Sequence, residues 1–279
     1  MLNLLLAVLS SALVSVTMRL SKPYVKKETA LLAVNYLLCS LLSWYDTGFD
    51  VLFPSVTGLP MAAALGILDG FLFLSGFVLL QWSIRRNGVV LSATFQKLGL
   101  LVSMLVSVIC FGERPESWHW FAFCVALAAI VLMNYRPGGE KAGSMVGLLL
   151  LLLSCGGCDA MSKVFEVYGS AALSGHFLMY TFLTALGLCI LLTVFRRQGL
   201  PGKAEWVFGL IVGIPNYFAA KFLLASLVTL PAVIVYPVYS VATLLAVTFA
   251  GIALFQERLE KRQWLAMGMI LLSLVLLNI

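Results

Sequence analysis

The chain has 279 residues, of which 62% are hydrophobic and 11% are charged, and its mean hydropathy is +1.04. About 25% of the residues of a soluble domain are charged, so this composition excludes an ordinary soluble protein. The formal net charge is +6, but Lys and Arg lie in short separate clusters, which gives no continuous basic face for nucleic acid.

Long apolar runs bounded by charge, Pro or Gly predict ten transmembrane helices, since a span needs about 20 mostly apolar residues. In chain order the predicted spans are residues 2–18, 29–45, 60–84, 88–110, 117–134, 144–165, 175–195, 205–227, 231–254 and 263–279. Only Arg85 to Gly88 interrupt the apolar stretch between spans three and four, which predicts a tight turn there. Span one has no Lys or Arg before it and no good cleavage site after it, as expected for a retained helix and not for a signal peptide.

Lys and Arg are distributed unevenly between the two alternating sets of connections. Fourteen lie in one set, and only Arg114 lies in the other. Because basic residues resist translocation, this asymmetry predicts that both termini lie on the outer side. An anionic-lipid patch formed by the basic connections would require the same orientation. We therefore expect an integral, multi-pass protein in the lipid bilayer of the plasma (inner) membrane of a prokaryote.

An internal repeat appears when the sequence is shifted by 144 residues. Phe111-Gly112-Glu113-Arg114 then falls on Phe255-Gln256-Glu257-Arg258, Glu116 on Glu260, Trp120 on Trp264 and Asn134 on Asn278. The repeat predicts two five-helix halves, residues 1–139 and 140–279. Because five is odd, the halves have opposite orientations, so the predicted fold is an all-α membrane protein with ten transmembrane helices in two inverted five-helix repeats. Such repeats are typical of secondary transporters, although channels and membrane enzymes are also duplicated.

The motifs at the ends of spans four and nine carry a resemblance to a known family. The motifs are Gly112-Glu113-Arg114, Gln256-Glu257-Arg258 and Tyr236-Pro237. With ten predicted helices and these motifs, the chain resembles the EamA-type branch of the drug/metabolite transporter superfamily. The resemblance implies a ten-helix basket, alternating access and a small polar or amphipathic solute. Ala93 stands in the first half where Pro237 stands in the second, so span four is expected to be straighter than span nine.

Five ionisable residues fall well inside predicted spans, where a central Asp or Lys costs about 2.5 to 3.5 kcal/mol on insertion scales. They are Asp69, Lys97, Asp159, Lys163 and Lys221. With a helical rise of about 1.5 Å per residue, Asp69 and Lys97 each lie about 13 Å deep, which makes them the best candidates for a shared central site. The set contains one more cation than anions. A substrate carboxylate or phosphate could complete the balance; alternatively, one lysine is neutral, and it or a carboxylate carries a coupling proton.

The other two lysines also have simpler interpretations. Asp159 and Lys163 are four residues apart, in the favourable order for a pair on one helix face. Lys163 could instead extend to the outer surface while it pairs with Asp159. Lys221 lies one turn after Tyr217 in an apolar run, and it either faces a cavity or extends to the surface.

Polar and aromatic side chains recur at helical spacing in three spans, which indicates a cavity lining, although Ser and Thr at this spacing also make close helix contacts. The stripes are Ser92, Gln96 and Ser103; His176, Tyr180 and Thr184; and Tyr236, Ser240 and Thr243. Asn216 follows Pro215, which removes a backbone donor within span eight. The predicted substrate-binding or proton-coupling residues are Asp69, Gln96, Lys97, Asp159, Tyr180, Asn216, Tyr217, Lys221, Tyr236 and Ser240.

Several further motifs are best explained by a role in folding and packing and not by a role in substrate binding. Cys155 and Cys158 are spaced like soft metal ligands, but the glycines between them suit tight helix packing, and no metal site is expected. Glu113 and Glu257 end spans four and nine and favour the positive dipole at the start of the next helix. Pairs of glycines four residues apart fit packing between helices or between protomers, which leaves a homodimer open.

The sequence therefore predicts a secondary active transporter that moves a small polar metabolite, anionic or zwitterionic, by alternating access, with a proton as the candidate coupling ion. No ATP-binding loop occurs, and no cofactor is expected. The alternatives are an exporter of cationic or amphipathic drugs, a passive channel and a membrane-embedded enzyme. An enzyme would need a nucleophile with a base or a metal cluster, and neither of the two His has a catalytic neighbour in sequence, so we expect no catalytic residues.

Overall fold

A computed structural model describes residues 1–48, 54, 56–134, 144–197, 199–256 and 260–276, with only the backbone described at 88–91 and 134. Within these ranges the chain is helical and contains no strand. The α-helices are α1 Leu2–Ser21, α2 Glu28–Asp46, α3 Leu59–Leu98, α4 Leu100–Phe111, α5 Ser117–Asn134, α6 Met145–Tyr168, α7 Ser174–Phe195, α8 Lys203–Leu227, α9 Ala232–Phe255 and α10 Lys261–Leu276, and a short 3-10 helix, Ala171–Leu173, precedes α7.

In the described part of the chain, seven helices are long and apolar enough to cross a membrane. They are Leu2–Ser21, Leu59–Asn87, Ser92–Phe111, Met145–Tyr168, Ala171–Phe195, Lys203–Leu227 and Ala232–Phe255. A shorter apolar helix, Ser117–Met133, follows the third of these. The all-helical, multi-pass membrane class is thereby confirmed, while the count of ten spans stays a prediction.

The long helix α3 changes direction near the predicted turn. Ser92 Oγ donates a hydrogen bond to Ser83 Oγ at 2.8 Å, although the two residues are nine apart in sequence. Nine residues of straight helix would separate them by about 13 Å. Asn87 Nδ2 also donates to Ser83 Oγ at 3.0 Å, and the Ser144 amide donates to Asn87 Oδ1 at 2.7 Å. The chain therefore folds back between Ser83 and Ser92, which is where the sequence predicts the turn between spans three and four.

A second irregularity lies at Gly99, between α3 and α4. The Gly99 amide donates to the Gln96 carbonyl at 3.2 Å, and the Val102 amide donates to the Gly99 carbonyl at 2.9 Å, so the backbone is locally a tighter 3-10 helix. A Cβ on Gly99 would lie 2.9 Å from the Gly156 nitrogen of α6. This close approach requires glycine. Span four is thus irregular although it lacks the proline of span nine.

The contacts divide the chain into two compact units, and each combines segments from both predicted halves. The first unit contains residues 1–74 and 164–226. In it α2 packs along α7, and Tyr36, Phe73 and Phe182 form an aromatic cluster. Glycines permit further close contacts there. A Cβ on Gly66 would lie 2.7 Å from the Phe177 carbonyl oxygen, and one on Gly209 would lie 2.7 Å from the Val34 Cβ.

The second unit contains residues 75–163 and 227–279. Here α4 packs against α9 and α5 packs against α10. The core of this unit consists of Leu100, Met104, Phe123, Ala126, Ala129, Ile130, Val233, Val241 and Ile270. The assignment of residues 1–139 and 140–279 to two repeats stays a prediction.

Local geometry at the ends of α4 and α9 follows the 144-residue shift. Gly112 ends α4 with φ 66° and its amide donates to the Ser107 carbonyl. Gln256 ends α9 with φ 52° and its amide donates to the Gly251 carbonyl. At the next helix start, the amides of Glu116 and Glu260 each donate to the side chain three residues later. Matching sequence here produces matching caps.

Candidate functional site

The second unit contains an oppositely charged pair within its apolar helices. Lys97 lies in the last turn of α3, two residues before the irregularity at Gly99. The carboxylate of Asp159, from α6, interacts electrostatically with the Lys97 ammonium, and Cys155 lies one turn earlier on α6. All three side chains are partly accessible. Because an isolated charge is unfavourable within a membrane protein, this mutual pairing explains how both are tolerated.

Tyr236 of α9 contacts α6 at Asp159, next to Lys97. Its hydroxyl donates a 2.6 Å hydrogen bond to the Asp159 carbonyl oxygen, and Pro237 follows it within α9. The structure therefore brings together three of the predicted site residues, Lys97, Asp159 and Tyr236. Gln96 precedes Lys97 and Ser240 lies one turn after Tyr236, and both are partly accessible.

Asp69 belongs to the first unit and is 4% exposed. Its Oδ2 lies 3.1 Å from the Thr181 hydroxyl of α7, which also lies 3.0 Å from the Phe177 carbonyl oxygen. Gly66 and Gly70, on either side of Asp69 in sequence, let α3 approach the α7 backbone closely. Tyr180, another predicted residue, packs against Gly66. Asp69 is therefore a carboxylate buried between two helices and bonded to a hydroxyl.

Asn216 lies in a polar cluster between α8 and α2 that sequence reasoning missed. Its Nδ2 lies 3.3 Å from Asn35 Oδ1 and 3.7 Å from Cys39 Sγ. The Cys39 thiol in turn donates to the Gly213 carbonyl oxygen at 3.3 Å, two residues before Pro215. Asn35 is 1% exposed. As an isolated Asn within the apolar span two, it could have been recognised in the sequence as a residue that needs a polar partner.

Lys221 and Tyr217 share the Asp46 carboxylate at the end of α2. Lys221 Nζ forms an ion pair with Asp46 Oδ1, and the two side chains are 35% and 32% exposed. The ammonium lies 5.8 Å from the centre of the Tyr217 ring, and the Tyr217 hydroxyl interacts with the same carboxylate. This partial exposure fits the interpretation that Lys221 extends towards a helix end.

Lys163 has an ion-pair partner that the sequence did not suggest. Its Nζ lies 3.1 Å from Glu113 Oε1, and the residue is only 7% exposed, so it points into the protein. Glu113 also accepts the amides of Ala232 and Val233, each at 3.0 Å. It therefore caps the start of α9, whereas we expected it to favour the next helix in sequence. Glu257, its counterpart in the repeat, lies outside the described residues.

These ion pairs change the charge balance derived from the sequence. That count assigned two carboxylates to three lysines, but Glu113 and Asp46 bring the carboxylates among the named residues to four. Asp46 ends α2, and Glu113 directly follows the cap of α4. The excess of positive charge, which favoured an anionic substrate, is therefore absent from this set.

Two other features noted in the sequence are the Cys155–Cys158 segment, which has a structural explanation, and His176, whose ring nitrogens lack hydrogen-bond partners among the described protein atoms. Gly156, between Cys155 and Cys158, serves helix packing, because its Cβ would lie 2.2 Å from the Gly99 carbonyl oxygen. No group of three metal-ligating side chains occurs in the described ranges. His176 is 5% exposed, and neither ring nitrogen has a hydrogen-bond partner among the described protein atoms. A buried imidazole in this state calls for a water or a ligand.

Comparison with known proteins gives four findings. Residues 144–279 match the profile of the EamA-like transporter family. An uncharacterized protein of Haemophilus influenzae is 24% identical over 94% of this chain and 92% of its own length. The uncharacterized inner membrane transporter YedA of Escherichia coli K12 is 26% identical over 61% of this chain and 55% of its own length. A solved crystal structure shares the fold with a TM-score of 0.77 at 15% identity, covering 99% of this chain and 94% of that one.

Proposed function

The chain belongs to the EamA type of the drug/metabolite transporter superfamily, and we propose that it is a secondary transporter of a small zwitterionic metabolite. The observation that carries this proposal is the close contact of Gly99 with Gly156, which brings the opposite charges of Lys97 and Asp159 into electrostatic interaction beside Tyr236. The sequence alone did not distinguish an anionic from a zwitterionic substrate. A pair of opposite charges favours the zwitterion, because such a substrate supplies a counter-charge to each member.

In the proposed bound state, a substrate carboxylate contacts Lys97 and a substrate ammonium contacts Asp159. The protein pair is then replaced by two substrate pairs, so neither charge is left alone in the apolar surroundings. Tyr236 holds the α6 backbone at Asp159 through its 2.6 Å hydrogen bond. Alternating access is part of the proposal; the 3-10 turn at Gly99 and the proline after Tyr236 support it, because both loosen helices next to the pair.

We propose that transport is driven by an ion or substrate gradient, with Asp69 as the carrier of a coupling proton. Its support is the burial of Asp69 and its hydrogen bond to Thr181. The proposed topology has ten spans in two inverted halves with both termini outside. The charge asymmetry of the connections and the repeated cap geometry at Gly112 and Gln256 support that topology.

The test uses the full-length protein in liposomes and three matched ligands: an amino acid, the amine formed by its decarboxylation and the acid formed by its deamination. A thermal-shift screen of amino acids first selects the parent compound. We expect the zwitterion to bind most tightly. Lys97→Gln should lower its affinity about 10- to 100-fold, since hydrogen bonds to charged groups contribute about 1.5 to 3 kcal/mol. Lys97→Gln should then prefer the amine and Asp159→Asn the acid.

Lys261→Gln is the matched control, because Lys261 is an exposed lysine of the same unit. Its affinity should equal that of the unmodified protein. Equal binding of the deaminated acid and the zwitterion would instead indicate an anion transporter. Unchanged transport in Lys97→Gln would remove the charge pair from the mechanism.

An exporter of cationic or amphipathic drugs is the second candidate. The four carboxylates that accompany three lysines favour it. In that case amines alone should bind, their affinity should survive Lys97→Gln, and it should fall in Asp159→Asn.

A further inference from the structure

Thr243 lies in the middle of α9, and its hydroxyl has no hydrogen-bond partner within the described part of the chain. The residue is only 2% exposed. Three other threonines, Thr181, Thr193 and Thr248, donate to the carbonyl four residues earlier at 2.8 to 3.0 Å, the usual arrangement in a helix. A buried hydroxyl has given up its bonds to water, so one without a partner calls for a ligand that restores them.

Thr243 shares one face of α9 with Tyr236 and Ser240. Steps of four and three residues place the three side chains on the same side of a helix. On this face Tyr236 donates to the Asp159 carbonyl oxygen of α6, and Ser240 is partly accessible. Val241 points elsewhere, into the apolar core with α4, α5 and α10. The face that carries Thr243 is therefore the one that meets α6 beside the charge pair.

Two contacts fix the direction of α9 relative to α6. Glu113 accepts the first amides of α9 and pairs with Lys163 of α6. One turn later in α9, Tyr236 meets Asp159, which lies one turn earlier in α6. The two helices are thus antiparallel here, and Thr243 lies about 10 Å beyond the level of Asp159, since seven residues of helix rise by that distance. With a hydrogen bond of about 3 Å at each end, roughly 4 to 5 Å remain for a molecule between them.

We propose that Thr243 hydrogen-bonds the side chain of the substrate, and that this side chain ends in a neutral amide or hydroxyl. The inference rests on the proposed function, in which Asp159 holds the substrate ammonium and Lys97 its carboxylate. A hydroxyl carries no charge and both donates and accepts, so an amide or another hydroxyl complements it. The remaining distance corresponds to about four covalent bonds between the ammonium and the end of the side chain, as in asparagine.

The experiment measures equilibrium binding of asparagine, leucine and aspartate to the full-length protein in liposomes. These amino acids have matched shapes, but their side chains end in a neutral amide, in hydrocarbon and in a carboxylate. We expect asparagine to bind most tightly. Thr243→Val keeps the shape of the residue and removes the hydroxyl. It should weaken asparagine binding about three- to tenfold, the effect of one neutral hydrogen bond, and leave leucine binding unchanged.

Two further variants separate recognition from folding. Thr243→Ser keeps the hydroxyl and should keep the preference for asparagine. Thr248→Val is the matched control, because the Thr248 hydroxyl donates to the Leu244 carbonyl oxygen within α9, and its preference should equal that of the unmodified protein. Thr243→Val should not lower the midpoint of thermal unfolding, since the hydroxyl that it removes has no partner to lose. A lowered midpoint would assign the hydroxyl to the fold and would overturn the proposal.

The binding outcomes separate this inference from the function on which it rests. Equal binding of asparagine and leucine, or an unchanged preference in Thr243→Val, would overturn the inference while leaving the charge pair in place. Tighter binding of aspartate would indicate a charged side chain and would also overturn it. If Lys97→Gln fails to weaken the binding of leucine and of asparagine, the proposed function itself is wrong, whatever the effect of Thr243→Val.

Discussion

Ionisable side chains within the apolar helices find partners in distant parts of the chain. Lys163 meets Glu113, Lys221 meets Asp46, and Lys97 interacts with Asp159. Hydropathy predicted which residues need partners, because a charge in hydrocarbon is costly wherever its partner lies. It could not predict the partners, because each of these pairs joins residues far apart in sequence.

Asp69 gives a prediction at this scale, and it depends on the proposed function. Asp69→Asn keeps the shape of the side chain and an oxygen acceptor for Thr181, but it removes the titratable group. We expect exchange of substrate between equal concentrations to continue, while accumulation driven by a pH gradient falls at least tenfold. Uptake into liposomes, with and without the gradient, measures both.

Two threonine variants of α7 accompany Asp69→Asn: Thr181→Val is a second test, and Thr193→Val is the control. Thr181→Val removes the hydroxyl next to Asp69 and should alter the pH dependence of uptake. Thr193→Val removes a hydroxyl that donates to the Cys189 carbonyl oxygen and should leave it unchanged. Undiminished accumulation by Asp69→Asn would show that the coupling proton binds elsewhere.

At the scale of the helices, carboxylates from elsewhere in the chain stabilise two helix starts. Glu113 accepts the first two amides of α9. Glu205, at the start of α8, accepts the amides of Lys26 and Lys27 before α2. Free amides at a helix start form a partial positive charge, which explains the choice of an anion. Apart from the boundary between α3 and α4, which lies at Gly99 and not at the predicted turn near residue 86, the helix bounds followed closely from apolar runs. The caps did not, since the carboxylate and the amides belong to distant segments.

Glu113→Gln tests the cap and the ion pair together. The amide offers one acceptor in place of two and leaves the buried Lys163 ammonium without its carboxylate. We expect unfolding to become easier by about 3 to 5 kcal/mol, as when one partner of a buried pair is removed. The change should appear as a lower midpoint of thermal unfolding in detergent.

Glu116→Gln is the control for this variant, because Glu116 is exposed and accepts a hydrogen bond from Trp118. Its midpoint should remain close to that of the unmodified protein. Adding Lys163→Met to Glu113→Gln should recover part of the loss, since it removes the isolated charge. Equal midpoints for Glu113→Gln and Glu116→Gln would contradict the assigned role.

At the scale of the whole molecule, the 144-residue shift relates the ends of α4 and α9 in sequence and in local geometry. The same shift relates Glu113 to Glu257, and Ala232 and Val233 to Gly88 and Val89. The repeat therefore predicts that Glu257 caps the start of span four, as Glu113 caps α9.

Glu257→Gln should weaken that cap by about 1 kcal/mol, a typical effect of losing a helix N-cap. Hydrogen exchange of the peptide that contains residues 88–92 should become faster. Glu260→Gln, at an exposed residue paired with Arg262, should leave this peptide unchanged. Identical hydrogen exchange in both variants would show that the repeat relates the two sequences but not the two helix caps.

Sequence by itself determined the membrane class, the approximate helix bounds, the internal repeat and which buried residues carry charge. These properties depend on local composition, since an apolar run of sufficient length is helical in a bilayer whatever its neighbours. Only the tertiary structure decided that Lys97 interacts with Asp159 and Lys163 with Glu113, that α3 folds back at Ser83, and that Gly99 meets Gly156. Such contacts join segments distant in the chain, and their energies depend on which side chains packing brings within hydrogen-bonding distance.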